Sequence, residues 1–589
     1  MKDKKKCEIE ELEDIMNKGS KKVIIIVCVL VVVSLVCGFY VYKKMQGSTK
    51  QMDLKEYYSL KEYEENAIPL IINNQILSNK AYLIDGEVYI EKEIVSTMID
   101  SKLYWDANGE TLIVTTPTDI IKATVDSKNI VVNGKDTQEE DRVIVKKVNE
   151  NDFAISLSFI KKYANIEEKI YDSPSRVVIT SDWGNEVTKI KVTKDDVIRY
   201  KGDKDSDILA HAKVNDVLYV MQDEVHNFQR YIYIMTQDGI AGYIKNRNIG
   251  KAYKEELKND YEEEVYPVNH LDKKVNLGWA QVSNQTANNN LSSLVNKTSG
   301  LNVVAPTWFS VSGVDGSITS LASSNFVTYA HNKGIKVWAL VDDFSKEVKL
   351  LDVMSNSTAR TNLITNLVTA TKKCGADGIN VDFEYITQES SPHYIQFLRE
   401  LSISCRKNKL TLSVDSYVPL SYNEHYKIDE QGKFVDYVVI MAYDEYHANS
   451  NESGSVASLS YTQTAVDRAM AKVPKEKLII GMPFYSRLWG EKTGEDGSSV
   501  VDSVETVGMA EGLTRVKQGG GKFTWDEETM QYYAEYIDQG KTYKIWLENK
   551  KSIEEKLKII MAADVAGVGE WRIGYETPDV WPIISNALK

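Results

Sequence analysis

One run of nine residues concentrates the chemistry in this chain. Asp377-Gly-Ile-Asn-Val-Asp-Phe-Glu-Tyr385 alternates with the period of two of a β-strand. Asn380, Asp382 and Glu384 therefore share one face, while Ile379, Val381 and Phe383 pack the other way. Two acids and an amide on an inward face cost desolvation energy unless they are hydrogen-bonded. Like charges that close together raise one carboxyl pKa, which gives a proton donor near neutral pH. General acid–base chemistry is the expectation, set against a merely solvated acidic strand end. Asp377 points away from this face and is expected to buttress the strand.

Such a strand needs a scaffold. From Lys273 onward, short apolar segments alternate with amphipathic helices: 275–282, 301–309, 335–341, 378–385, 410–418, 435–443, 478–486 and 566–574. Helical stretches such as Ser357 to Cys374 and Ser391 to Asn408 lie between them. Eight strands with helices between predict a (β/α)8 TIM barrel whose chemistry sits at the C-terminal strand ends. Residues 487–560 are too many for a plain loop between the seventh and eighth strands and predict a small α+β insertion. In it Trp525, Tyr533, Trp546 and Glu548 are candidates for ligand contact or for core packing.

The nine-residue run resembles the D-x-x-D-x-D-x-E signature of glycoside hydrolase family 18, the chitinase and endo-N-acetylglucosaminidase family, with Asn380 in place of the second Asp. Further landmarks follow in order: Met441-Ala-Tyr443-Asp444, Gly481-Met-Pro-Phe-Tyr485 and Glu570-Trp571-Arg572. The resemblance covers about 273–589. It is nearest the branch acting on spore-cortex and wall peptidoglycan, where the Asn variant occurs with WDEE (Trp525 to Glu528), IWLE (Ile545 to Glu548) and a GVGEWRIG-like eighth strand.

The resemblance implies substrate-assisted retention, an exception to the two-carboxylate scheme. Glu384 would protonate the glycosidic oxygen, and the sugar's own acetamido carbonyl would attack the anomeric carbon. Asp382 would bind the acetamido nitrogen and stabilise the oxazolinium ion, and Tyr443 would hold the acetamido oxygen. Glu384 would then activate water. Trp571 would floor the distorted sugar, with Asp444, Tyr485, Asn380 and, in the insertion, Trp546, which lies closest to the eighth strand in the branch pattern, contributing to substrate binding. No metal and no organic cofactor is required. An amide at 380 can donate a hydrogen bond to Asp382 but cannot share a proton, which predicts a modified pH profile. His447, just past Tyr443, reads as a rim residue.

The first 272 residues read as anchor and modules. Residues 1–22 form a cytoplasmic tail. Val23 to Tyr42 is twenty residues without a charge, flanked by lysines, and at about 1.5 Å per residue it spans a bilayer core of about 30 Å. An uncleaved single-pass anchor is expected, because no small-x-small cleavage site is visible. Lysines on both flanks favour a cytoplasmic N-terminus only weakly, so the orientation rests on the wall-facing modules that follow. Residues 43–65 form a stalk. Residues 66–183 repeat loosely at an offset of 65–66 residues, the strands of the two copies ending in Trp105-Asp106 and Tyr171-Asp172. They resemble the copper amine oxidase N-terminal domain. With no His or Cys in the stretch, copper is not implied, and the domain is a spacer or a glycan-binding unit. Residues 186–250 resemble a bacterial SH3-type domain that could contact wall peptides, and 251–272 is a charged linker.

Composition bounds the rest. Hydrophobic residues at 43% and charged residues at 26% exclude disorder throughout. Lysine plus arginine at 71 against 85 acids, net −14, argues against nucleic acid. Five scattered cysteines suit neither a disulfide framework nor a zinc site; proximity of Cys374 and Cys405 stays open. The expected partners are an N-acetylglucosamine-containing glycan (peptidoglycan or chitin oligomers) and the membrane. Two other readings remain: a lectin-like glycan-binding barrel, and a wall scaffold whose N-terminal modules do the work.

Overall fold

The computed structural model describes residues 2–222, 230–494 and 498–589. They form two units, one built from residues 1–100 and 146–261, the other from 101–145 and 262–589.

The first unit begins with the helix Lys2–Gln46. Its stretch Ser20–Tyr40, with a mean hydropathy of 3.1, is long and apolar enough to cross a membrane. Two seven-stranded sheets follow. In one, Ala67–Ile72 pairs in parallel with Arg176–Thr180 and antiparallel with Gln75–Ile84. The other is antiparallel throughout and runs from Glu186–Lys191 to Tyr253–Glu256. Its hairpin Tyr231–Met235 to Ala241–Lys245 turns at Asp238-Gly239, and Gly239 has the positive φ of 86° that favours glycine.

The second unit holds the barrel. Its strands are β1 (Val275–Ala280), β2 (Val303–Val311), β3 (Lys336–Asp342), β4 (Gly378–Asp382), β5 (Thr411–Tyr417), β6 (Tyr437–Met441), β7 (Leu478–Pro483) and β8 (Gly567–Trp571). Every neighbouring pair is parallel, and β8 closes on β1. Alternation divides each strand between two cores. Leu277, Trp279, Ala305, Trp338, Leu340, Tyr437, Val439 and Ile479 fill the interior. Ile379, Val381 and Phe383 of the fourth strand segment instead join the outer core beneath the helices, as the period of two requires. The helix Ser357–Cys374 ends on Gly375 in the left-handed conformation at φ 81°, a C-terminal stop suited to glycine.

Between β7 and β8, five antiparallel strands form a separate sheet, from Tyr485–Thr493 to Lys541–Leu547. The helix Met509–Gln518 packs on it around Leu488, Val507, Val516 and Ile545. The helix Lys550–Ala562 belongs to the barrel, for Ile553, Leu557 and Ile560 enter its outer core.

A third sheet of this unit comes from far earlier in the chain. The strands Leu103–Asp106, Thr111–Thr115, Ile120–Thr124, Asn129–Val132 and Asp136–Glu139 form an antiparallel meander docked on barrel helices. The Tyr104 hydroxyl is 2.6 Å from His393 Nδ1. Arg399 donates to the Ser101 carbonyl at 2.9 Å, and Arg406 donates to the Pro117 carbonyl at 2.8 Å. The opening strands of the two copies of the loose repeat, Glu87–Glu91 and Phe153–Ser156, pair with each other in the first unit, but the closing strands part company, since Glu167–Tyr171 and Arg176–Thr180 lie in the first unit and Leu103–Asp106 and Thr111–Thr115 in the second. Cys374 and Cys405 are buried and both free.

Candidate active site

Parallel pairing of β4 with β5 sets the geometry. Asn380 is in register with Ser413, and Val381 with Val414. Continuing that register brings Asp382 beside Asp415 and Glu384 beside Tyr417, strands lying about 4.8 Å apart. Asn380, Asp382 and Asp415 are essentially sealed from solvent, at 0%, 5% and 2% exposure. Glu384 is half-buried, and its carboxylate accepts a hydrogen bond from the Tyr417 hydroxyl.

The amide of Asn380 is fully used, but not on Asp382. Its Nδ2 donates to Ser413 Oγ at 3.0 Å and to Asp415 Oδ1 at 2.9 Å, and its Oδ1 accepts from Trp279 Nε1 at 3.0 Å. The sequence had suggested Asp382 as the recipient. Asp382 is two residues along the same strand, whereas Ser413 and Asp415 stand across the ladder, within reach. Asp382 Oδ1 is buried with no hydrogen-bond partner among the described residues.

Burial, joined by the neighbouring charges of Asp415, Glu384, Asp343 and Asp342, pushes the Asp382 carboxyl well above the ordinary carboxylate range. Asp415 rises to about 8 through burial, against the hydrogen bonds from Asn380 and Trp279 and with the nearby Glu384 charge. Glu384 is raised by burial and by Asp444 and Asp342, with the Tyr417 hydroxyl pulling the other way. A carboxyl raised in this way can hold a proton for a leaving group.

Asp343 fixes the backbone at the acid. Its two oxygens accept from the Glu384 and Tyr385 amides, each at 3.0 Å, and burial lifts its carboxyl to about 6 despite those bonds. The Tyr426 hydroxyl donates to the Glu384 carbonyl at 2.5 Å. Asp415, Tyr417, Asp343 and Tyr426 were not singled out from sequence. Ser413, Asp415 and Tyr417 do alternate with Leu412 and Val414, and that alternation was the available signal.

The remaining sequence candidates sort by position. Tyr443, at the end of β6, feels the charges of Asp415, Asp382 and Glu384, and burial together with these raises its hydroxyl well above the usual range. Its ring stands edge-on to Tyr485 at 6.2 Å. Asp444 is held by Tyr485 and Arg487, both donating to its Oδ1 at 2.6 Å, so the Tyr485 hydroxyl is already engaged. Trp571 lies 6.1 Å from Trp279 at the interior end of β8, and its peptide bond to Arg572 is cis. Asp377, at the opposite end of β4, binds Lys336, His331 and the Val337 amide at 2.7–2.9 Å. In the insertion, Trp546 donates to Asp526 at 3.2 Å and packs on Tyr533. Trp525 carries the Lys551 ammonium 3.4 Å from its ring centre. Glu548 is fully buried, paired with Lys556 at 2.8 Å and bonded by Gln531 and Ser552; it is a core group, not a sugar contact. His447 is exposed, as a rim residue should be.

Comparison with known proteins points to a family. Residues 275–576 match Glycosyl hydrolases family 18, and residues 71–180 match the copper amine oxidase N-terminal domain. The uncharacterized glycosylase YvbX of Bacillus subtilis is 28% identical over 288 residues, 47% of this chain and 81% of that protein. The cortical fragment-lytic enzyme of B. subtilis is 22% identical over 250 residues, 41% of this chain and 57% of that enzyme. Among solved structures, the Bacillus cereus spore cortex-lytic enzyme SleL aligns at 18% identity and a TM-score of 0.48, over 57% of this chain and 77% of that one. The matched segment takes in more than half the chain and contains all eight barrel strands with Asp382, Glu384, Tyr443 and Trp571, so this chain belongs to glycosyl hydrolase family 18 and is a glycoside hydrolase.

Proposed function

We propose that this chain is a membrane-anchored glycosidase that cleaves β-1,4 linkages at N-acetylglucosamine in peptidoglycan, or in chitin-like glycans, with retention and with the substrate's own acetamido group as nucleophile. The observation that carries the reading is the ladder in which Glu384 is bonded by Tyr417 while Asp382 sits beneath it on the same strand face. Glu384, with its pKa raised, protonates the departing glycosidic oxygen. Asp382 accepts the acetamido N–H, which aims the acetamido carbonyl at the anomeric carbon and offsets the positive charge that develops there. Tyr443 donates to the acetamido oxygen, Trp571 stacks under the sugar, and Glu384 finally takes a proton from water. The route draws on protein and substrate groups alone.

The apolar stretch Ser20–Tyr40 supports an anchor with a cytoplasmic N-terminus and the barrel facing the wall. Residues 66–183 then serve as a spacer or glycan contact, and 186–250 as an SH3-type unit touching wall peptides. The names of relatives that act on spore cortex favour peptidoglycan.

The test is mass spectrometry of products from peptidoglycan, spore cortex and chitin oligomers, each incubated with the full chain and with Glu384→Gln. Fragments with reducing N-acetylglucosamine ends are expected, with turnover lower by about 10²–10⁴ in the variant, the usual contribution of a general acid. Equal cleavage of a fully deacetylated polymer would contradict substrate assistance. Retention of glycan without products would make the chain a tethered lectin.

A further inference from the structure

Asp415 has no part in the chemistry above, yet it is among the most thoroughly buried acids of the barrel. It stands on β5 beside Asp382 on β4, where the strand register continues from the Asn380–Ser413 and Val381–Val414 pairs. One of its oxygens, Oδ1, accepts from the Asn380 amide at 2.9 Å. Asp382 Oδ1, also buried, has no donor among the described residues. A buried carboxylate oxygen without a donor is costly, and two buried carboxylates side by side cannot both be ionised cheaply. One proton placed between them relieves both costs.

We propose that Asp415 is the positioning residue of this site: its carboxyl carries one proton and donates it to the otherwise unpartnered Oδ1 of Asp382. Asp382 then works as an oriented anion, with its second oxygen turned to the substrate. Asn380 supports the arrangement, because its Nδ2 occupies the Asp415 oxygen that does not carry the proton. The proposal rests on the hydrolytic reading and deepens it. The raised pKa values of both acids agree with a pair that holds one proton. The titratable groups facing the pair are Asp342 and Asp343 at the end of β3, Glu384 after β4, Tyr417 on β5, Tyr443 after β6, and Tyr426 and Tyr394 from the outer layer. At neutral pH the tyrosines are uncharged, so the field on the pair comes from carboxylates.

Two substitutions in the full chain test this. Asp415→Leu removes the donor, so kcat/KM should fall about 10–100-fold, the worth of a hydrogen bond to a charged group. Without a donor the Asp382 anion is harder to form, so the acid limb of the pH profile should move up by about one unit. Asp415→Asn mimics the protonated acid, accepting from Asn380 and donating to Asp382. It should restore most of the activity and return the acid limb to its wild-type position. A purely structural Asp415 would lower the melting temperature and leave the acid limb in place. A folded Asp415→Asn as impaired as Asp415→Leu, or an Asp415→Leu with the wild-type acid limb, overturns the proposal.

A substrate-free measurement separates this inference from the hydrolytic reading. In the Glu384→Gln background, the infrared band of a protonated carboxylic acid should persist at neutral pH and diminish when Asp415→Asn is added. An unchanged band overturns the proposal even if Asp415→Leu fails to fold. Wild-type protein inert towards every glycan, with the band behaving as described, would sink the glycosidase reading and leave the shared proton standing.

Discussion

The hydroxyl of Tyr417 hydrogen-bonds the carboxylate of Glu384 across the gap between two neighbouring barrel strands. This bond favours the ionised acid and so restrains the rise that burial imposes on Glu384. Tyr417→Phe removes the restraint, and the pKa of Glu384 rises further. Its proton is then kept to higher pH, so the alkaline limb of kcat/KM should move upward by about one unit. A pH–rate series on the two proteins checks this; a downward move would contradict the assigned direction.

Asn380→Asp, which restores the common family residue, should harm this chain. The side chain that now donates to Ser413 and Asp415 would become a third buried acid beside Asp382 and Asp415. Urea denaturation should show a loss of about 2–4 kcal/mol, in the range for burying an uncompensated acid or breaking a hydrogen-bonded network. Adding Asp415→Asn restores a donor facing an acceptor and should recover most of that loss.

Glu570 is sealed within the protein, and neither of its oxygens has a partner among the described residues. Burial raises its carboxyl well above the ordinary range, with the Glu576 charge adding to the effect. The unfolded chain ionises this group from about pH 4.3 upward, while the native state keeps the proton. Stability is therefore lost as pH climbs from there toward the native pKa. Glu570→Gln should raise the melting temperature at pH 8 more than at pH 5, as measured by calorimetry at both values.

The Lys556–Glu548 pair is fully buried, at 1% and 0% side-chain exposure. Removing one partner leaves an uncompensated charge, so Lys556→Met should cost about 3–5 kcal/mol. Glu548→Gln added to it should recover part of that loss in chemical denaturation.

The barrel was legible because its strands are short apolar runs alternating with amphipathic helices, and Asp382 with Glu384 because alternation puts both on one face of a single strand. Asp415 was not, since its meaning depends on which strand lies beside it, and pairing is a tertiary fact. Asn380 illustrates the same limit: its side chain could be read, but not the direction in which its amide would point. Glu548 read equally as a sugar contact or as a core group while only its place in a motif was known. Its partner Lys556 lies eight residues on, on a helix whose inward face the sequence does not orient against the inserted sheet. The two copies of the N-terminal repeat read alike locally, and only packing sends their closing strands to different units.

The chain passes between its two units three times, at 100–101, 145–146 and 261–262. No single cut can therefore release the second unit whole. A protein beginning at residue 273 would expose the helix surfaces where Tyr104, Ser101 and Pro117 now meet His393, Arg399 and Arg406. During synthesis the meander emerges long before the barrel helices on which it docks, and it waits without its partner surface until they follow. Evolution by shuffling meets the same obstacle: exchanging residues 1–261 for another module would remove the meander of the second unit with it.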